Sequence, residues 1–271
     1  MNASLRTLQS RGAGEGPLAR NIRQLGPWFH NLHLRDGVQT APDHPLGDFP
    51  ACKWQRMAGC LPEDLGGWQV LDIGCNAGFY SFELARRGAR VTAMDHDDHY
   101  LRQAFWAARE LDLTSRIEFR HGDIFELAGS EERYDLVLFL GVFYHLRYPL
   151  LGLDLAAAAS RKLLLVQSLA TAAPANEIDT ADPGFAGRDA LRQDGWPKMA
   201  YIEHELAGDP SNWWVPNPPA MEAMLRSAGL RIAARPDEDS WLCERGASAD
   251  AADCRLQTTL RRLGVPPSQD Q

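Results

Sequence analysis

Between residues 68 and 168 the chain alternates short apolar runs with amphipathic stretches. Val70-Leu71-Asp72-Ile73 is too short for a helix and closes on a glycine cluster, so it predicts a strand. Residues 79–87 predict a helix, and residues 89–94 a second strand ending at Asp95. Leu101, Phe105, Ala108 and Leu111 recur at helical steps and predict one buried helix face. Residues 117–121 give a third strand and 134–140 a fourth, apolar nearly throughout, as a strand covered on both faces should be. A leucine- and alanine-rich helix over 149–160 and a fifth strand over 162–168 follow. Later come a helix over 219–228, with Gly229 at its C-cap, and a closing strand pair over 230–234 and 240–243. Strands alternating with helices predict an α/β fold with a mainly parallel sheet and helices on both faces. Right-handed crossovers then make it Rossmann-like and doubly wound.

The flanks have another texture. Gly14, Gly16, Pro17, Gly26, Pro27, Pro42, Pro45 and Pro50 punctuate the first 50 residues, so regular structure there should be short. The expected organisation is an N-terminal flap over 1–55, a core domain over 56–245 and a polar, alanine-rich tail over 246–271 that frays. An insert at about 171–216 separates the fifth strand from the late helix. Its first half, 172–193, reads as a mobile loop, and its second half holds Trp196, Tyr201, Trp213 and Trp214. Loops of this length inside compact domains are functional lids or disordered.

Composition narrows the classes. The 271 residues are 45% hydrophobic and 24% charged, which suits a folded globular chain. A formal net charge of −8 argues against a nucleic-acid partner, although Arg6, Arg11, Arg20 and Arg23 make the N-terminus mildly positive. Cys52, Cys60, Cys75, Cys243 and Cys254 form no CxxC pair and no three-cysteine cluster. They read as reduced thiols, not as a disulfide framework, a zinc site or an iron–sulfur site. There is no apolar leader and no long uninterrupted apolar run, so a cytoplasmic protein without a membrane partner is expected, and the Asn2-Ala3-Ser4 sequon carries no weight.

Candidate chemistry gathers at the first two strands. Asp72 ends a strand and is followed by Gly74-Cys75-Asn76-Ala77-Gly78, while Asp95 closes the next strand. Doubly wound sheets bind ligands beyond the carboxyl ends of their strands, and glycines permit the tight turn and close backbone approach this requires. A carboxylate at Asp95 can accept both hydroxyls of a ribose. A dinucleotide fingerprint starting at Gly74 would need glycine where Asn76 and Phe79 stand, and no GxxxxGK[ST] loop is present. S-adenosylmethionine has no phosphate, tolerates the bulky helix entrance at Phe79 and Tyr80, and brings an ammonium that suits Asp72. It is the expected cofactor. Cys75, Asn76, His96, Ile124 and Leu140 are placed in its site with Asp72, Gly74, Gly78 and Asp95.

With these motifs in hand, residues 70–148 resemble the core of class I S-adenosylmethionine-dependent methyltransferases. The resemblance includes Gly122-Asp123 after the third strand, where that family often sets an acid near adenine; an ordinary Gly-Asp turn is the alternative. Phe29-His30-Asn31, Asp36-Gly37-Val38-Gln39-Thr40, Lys53-Trp54, Gly141-Val142-Phe143-Tyr144-His145 and Trp214-Val215-Pro216 extend it. Together they resemble the methyltransferase-like family that includes the tRNA wobble-uridine carboxymethyltransferases. The resemblance implies a methyltransferase without fixing its substrate, and the leading expectation is transfer to an O or N atom of a small-molecule or sugar-like acceptor. A tRNA-modifying (carboxy)methyltransferase and a non-catalytic cofactor-binding subunit are the alternatives. The carboxymethylating relatives also carry a lysine shortly before the flap and an arginine ahead of the Trp214-Val215-Pro216 equivalent. Here Arg23-Gln24-Leu25-Gly26-Pro27-Trp28 and Asp209-Pro210-Ser211-Asn212 stand at those places.

The loop after the fourth strand should border the reacting carbon, which makes Tyr144 and His145 the catalytic candidates: Tyr144 for positioning, His145 as a base. The plain alternative is that Tyr144 lines the cofactor pocket and His145 caps or packs the next helix. His30, Lys53 and Trp54 from the flap, with Tyr201, Trp213 and Trp214 from the insert, are the acceptor-site candidates; core packing is again the competing reading. His30, His33 and His44 complete no carboxylate–histidine pattern, and no metal is expected. Asn217-Pro218-Pro219 precedes a late helix and reads as helix-entry chemistry, not as a nucleobase-methylating motif.

Overall fold

The computed structural model describes residues 16–173 and 184–266. Arg6, Arg11, the Asn2-Ala3-Ser4 sequon, part of the predicted 172–193 loop and residues 267–271 lie outside the described residues. Helices α1 (Pro17–Leu25) and α2 (Ala51–Met57) come first. Then follow β1 (Gln69–Ile73), α3 (Phe79–Arg86), β2 (Arg90–Asp95), α4 (Asp98–Glu110), β3 (Ile117–His121), β4 (Tyr134–Leu140), α5 (Pro149–Ala159) and β5 (Ser160–Gln167). The insert contributes β6 (Met199–Tyr201) and β7 (Trp214–Pro216). After it come α6 (Pro218–Ser227), β8 (Leu230–Asp237), β9 (Ser240–Arg245) and α7 (Ala249–Arg262).

Seven strands form one sheet in the order β3-β2-β1-β4-β5-β9-β8. The first five are parallel; β9 runs antiparallel to β5, and β8 antiparallel to β9. This is the expected Rossmann-like sheet, and its strand order reverses between β1 and β4, where such sheets open a ligand crevice. Successive residues of β4 serve opposite faces. Leu136, Leu138 and Leu140 join the core layer holding Val70, Phe82 and Val91, while Val137 and Phe139 join the layer holding Leu71, Leu153 and Trp241.

Three expectations shift in three dimensions. The fully buried face of α4 is Gln103, Ala104, Ala107 and Ala108. Of the predicted stripe, Ala108 is buried and Leu101 and Leu111 pack partly buried against the core, but Phe105 is 50% exposed and meets Phe119 edge-on. Alanines let the helix lie close to the sheet, and buried Gln103 donates to the carbonyls of Leu25 and Pro27, tying the N-terminal segment to α4. That segment is also part of the core: Leu32, Leu34, Trp54 and Met57 belong to the same hydrophobic cluster as β1 and α3. In the tail, residues 249–262 form α7 where fraying was expected, because Ala249, Ala252, Leu256 and Leu260 make one buried stripe, the leucines packed in the layer with α5 and the alanines over Gly229.

Candidate functional site

The carboxyl ends of β1, β2 and β4 converge on the turn after β1. Gly74 and Cys75 both donate their N–H groups to Met94 O, at 2.8 and 2.9 Å, which folds the loop back across β2. Gly74 and Gly78 have φ of 70° and 87°, and a Cβ at Gly78 would come within 2.7 Å of the Phe82 ring. Asn76 is also left-handed, at φ 50°, and its Oδ1 accepts the N–H of Ala77 at 2.8 Å.

Two acids sit beneath this loop. Asp72 is 1% exposed, and its Oδ2 accepts from Ser81 Oγ at 2.6 Å. Burial, opposed by that bond and reinforced by the charge of Asp95, raises its carboxyl to about 6. A buried carboxylate wants a cation, and the ammonium of S-adenosylmethionine has the matching charge. Asp95 is 5% exposed; Oδ2 accepts from Asn76 N at 2.8 Å and Oδ1 from Asp97 N at 2.9 Å. Each carboxylate oxygen has two lone pairs, so both can still accept a ribose hydroxyl. The residues therefore fit the expected cofactor. Between the acids, the buried Cys75 thiol is pushed well up by burial and by Asp72 and Asp95, and stays protonated. Exposed His96 lies 3.6 Å from Asp95.

Asp123 caps the short 3₁₀ turn over Ile124–Leu127: its Oδ1 accepts from Phe125 N at 2.7 Å, and Glu126 completes a capping box. The structure thus accounts for Asp123 by local turn chemistry. Ile124 is buried in the core, and Leu140 is the last buried residue of β4.

Beyond β4, Gly141 takes φ 71° and the chain enters a 3₁₀ turn over Phe143–His145. Tyr144 Oη and Gln167 Oε1 both border the space left by the missing Gly141 Cβ, at 3.5 and 3.8 Å. Burial first, then Asp209 and Asp239, raises the Tyr144 hydroxyl to about 12, so it donates as a neutral phenol. Gln167 Nε2 donates to Asp239 Oδ2 at 2.9 Å, and the same oxygen takes a short contact from Lys53 Nζ. Lys53 thus reaches the carboxyl edge of the sheet from α2, paired with an acid from the β8–β9 turn. Neither Gln167 nor Asp239 stands in a motif; only the β5–β9 register could have pointed to them, since it sets Gln167 opposite Ser240.

The insert is docked on this edge. Trp213 N donates to Tyr144 O at 2.8 Å, and β6 pairs antiparallel with β7. Tyr201 lies 4.9 Å from Trp214 and is stacked on Trp213 at 6.3 Å between centroids. Arg147, just past the 3₁₀ turn, covers both Tyr201 and Trp213 and donates to the Tyr201 hydroxyl. Trp214 Nε1 is buried with no partner among the described residues. Asn217 caps α6 through Ala220 N at 2.9 Å, as helix-entry chemistry requires.

Two flap residues sit differently. Trp54 is buried beneath the guanidinium of Arg87 and beside Tyr80. It lines a separate surface groove of about 440 Å³, with Leu32, Phe82 and Leu111, that includes no other candidate site residue. Packing accounts for it. His30 is enclosed by Phe29, Phe49, Phe79 and Tyr80, its Nδ1 has no partner, and burial, aided by His44, drops it to about 3. His33 pairs with Asp48 and His44 stacks on Phe49, so these three histidines do not converge.

Comparison with known proteins agrees with this geometry. The family described as "Methyltransferase domain" matches residues 70–161. A tRNA U34 carboxymethyltransferase of Methylococcus capsulatus is 26% identical over 226 residues, 82% of this chain and 61% of that protein. A ubiquinone biosynthesis O-methyltransferase of Alkalilimnicola ehrlichii is 35% identical over 106 residues, 39% of this chain and 42% of that protein. The chain spans less than two thirds of the length of either relative. In fold it is similar to the N-terminal domain of EvdMO1 with SAH bound, with a TM-score of 0.58, 20% identity, and coverage of 84% of this chain and 94% of that one. Sheet order, glycine turn and sequence kinship agree: residues 70–161 carry a methyltransferase domain of the class I, S-adenosylmethionine-dependent kind.

Proposed function

We propose that the chain transfers a methyl group from S-adenosylmethionine to an oxygen or nitrogen of a small, hydroxylated acceptor. One observation carries the acceptor class: Tyr144, Gln167, Asp239 and Lys53 form a polar rim at the carboxyl edge of β4 and β5, with the aromatic hairpin of the insert docked beside it. Such a rim suits a compact polar molecule, because buried donors and acceptors discriminate by the groups they leave unpaired.

The cofactor supplies the electrophilic carbon, and the protein has to align the nucleophile, exclude water and accept a proton. In this reading Asp72 and Asp95 hold the cofactor, with Gly74, Cys75, Asn76 and Gly78 shaping the turn and His96 at its edge. Tyr144 donates to a polar atom near the reacting centre. Burial, partly offset by Ser211 and Asp209, keeps His145 below the usual imidazole range, so it is neutral at pH 7 and able to take the acceptor proton. Trp213, Trp214 and Tyr201 supply rigid aromatic area.

The relatives frame the alternatives. The tRNA U34 carboxymethyltransferases act on a polyanion, for which a chain of net charge −8 is poorly suited. The fold itself does not fix the chemistry, since the [4+2]-cyclase SpnF shares it with a TM-score of 0.51. One EvdMO1 domain was crystallised in the presence of SAH and D-fucose, which makes sugars a sensible part of the test. Purified protein incubated with methyl-labelled S-adenosylmethionine and separate panels of sugars, phenols, amines and unmodified tRNA should label a small-molecule panel. Labelling of tRNA alone would replace this reading, and binding without any transfer would favour a non-catalytic subunit.

A further inference from the structure

The insert loop brings two side chains to His145 that no motif marks. Ser211 Oγ lies 2.9 Å from His145 Nδ1, and the Ser211 carbonyl oxygen lies 3.2 Å from the same nitrogen. Ser211 Oγ in turn donates to Asp209 Oδ1 at 2.6 Å, and the Ser211 N–H donates to that oxygen at 2.8 Å. Burial pushes the Asp209 carboxyl up, but these bonds and the nearby His145 outweigh it, so it stays ionised at neutral pH.

The donor count decides the proton on the ring. An ionised carboxylate only accepts, so the single hydroxyl proton of Ser211 is committed to Asp209. Ser211 Oγ can then only accept from the imidazole, as the carbonyl must. Both neighbours of Nδ1 are acceptors, so Nδ1 carries the hydrogen, and the neutral ring has its lone pair on Nε2. A tautomer is thus set by the partner of the other nitrogen.

We propose that Asp209 and Ser211 are positioning residues that hold His145 as its Nδ1–H tautomer and so make Nε2 the proton acceptor of the reaction. The inference rests on the methyltransferase reading above. As an acceptor oxygen takes the methyl group, its O–H proton passes to Nε2, and the former carbon–sulfur pair stays on sulfur. The imidazolium keeps its Nδ1–H bond to Ser211, and Asp209 balances the charge through that hydroxyl. The proton then leaves Nε2 for water. Asp209 of the insert and His96 after β2 are the charged or titratable groups acting on the ring, the first favouring the imidazolium and the second opposing it; the Tyr144 ring lies 4.3 Å away.

Long-range nitrogen–proton correlation on protein carrying ¹⁵N-labelled histidine, with His145→Gln to assign the signal, reads the tautomer without any acceptor. Wild type saturated with S-adenosylhomocysteine should show protonated Nδ1 and bare Nε2. Ser211→Ala should raise the Nε2–H population, and Ser211→Thr should restore the wild-type pattern. Asp209→Asn should move the His145 titration midpoint down, because a charge favouring the imidazolium is gone. An Nε2–H ring in wild type, or a pattern indifferent to Ser211→Ala and Asp209→Asn, would overturn the proposal. Calorimetry on the same samples separates the two readings: failure to bind S-adenosylhomocysteine would overturn the cofactor reading, and this proposal with it, whatever the tautomer.

Discussion

At the level of single residues, the site depends on groups held away from their solution chemistry. Asp72 is the clearest case, because burial and Asp95 raise its carboxyl to about 6 against the hydrogen bonding from Ser81. Its folded pKa lies above its unfolded value of 3.8, so the folded chain binds the extra proton between those pH values. Stability is therefore lost as pH rises through that window, by about 3 kcal/mol from a shift of about two pH units. A bound ammonium should return part of that cost, but only once Asp72 is ionised. We therefore expect the rise in Tm caused by S-adenosylmethionine to be small at pH 5 and to grow by several degrees by pH 7.5. Asp72→Asn should flatten the trend. Scanning fluorimetry across pH checks it, and a pH-independent shift in wild type would detach Asp72 from the cofactor. Asp72 and Asp95 are legible in the sequence because each ends an apolar run beside glycine or a turn. Asp209, Ser211, Gln167 and Asp239 are not, because each gains its meaning from a partner far away in the chain: His145 for the first two, Lys53 for Asp239.

Elements show a similar division. The parallel strands are readable because both their faces are buried, which leaves a continuous apolar run. On α4 the period and most of the stripe are readable, since Ala108 is buried and Leu101 and Leu111 pack against the core, but Phe105 is exposed and the centre of the buried face lies on Gln103, Ala104 and Ala107. Alanine carries little hydrophobic signal, and Gln103 is buried for its two carbonyl bonds, which hydropathy cannot register. Helix α7 was hidden for the same reason: two leucines and two alanines make its stripe while most of its surface is polar. Its contribution should nevertheless be large. Leu256 is 4% exposed and packs in the layer with Leu127, Leu155 and Ala158. Truncating a buried leucine costs about 2–5 kcal/mol, and a domain of this size loses roughly 2–4 °C per kcal/mol. Leu256→Ala should therefore lower Tm by about 5 °C or more. Because α7 sits against α5, outside the site, affinity for S-adenosylhomocysteine measured below the transition should stay within about twofold. A neutral Tm would mean that α7 does not dock.

For the whole molecule, the question is which group the fold was built to transfer. A carboxymethyl sulfonium would place an anion beside the reacting carbon, and a partly buried anion needs cations or several donors. Tyr144 could give one bond. Around it, however, the field is set by two acids, since Asp209 and Asp239 both push the Tyr144 hydroxyl up. Lys53, the cation nearest this rim by its hydrogen bonds, is spent on Asp239, and Lys198 donates to the Arg192 carbonyl. Asp209 and Pro210 stand near the place where the carboxymethylating relatives carry an arginine. A net charge of −8 over the chain adds nothing to attract either an anionic cofactor or a polyanionic acceptor. An unmodified methyl group suits this surrounding and a carboxylate does not. In competitive titration, S-adenosylmethionine should displace its carboxylated analogue, with at least about tenfold tighter binding, equivalent to about 1.4 kcal/mol. Asp239→Asn, which releases Lys53, should narrow that gap from the carboxylated side. Tighter binding of the carboxylated form by the wild-type chain, with transfer of its carboxymethyl group, would reverse the conclusion and move the chain's substrate toward tRNA.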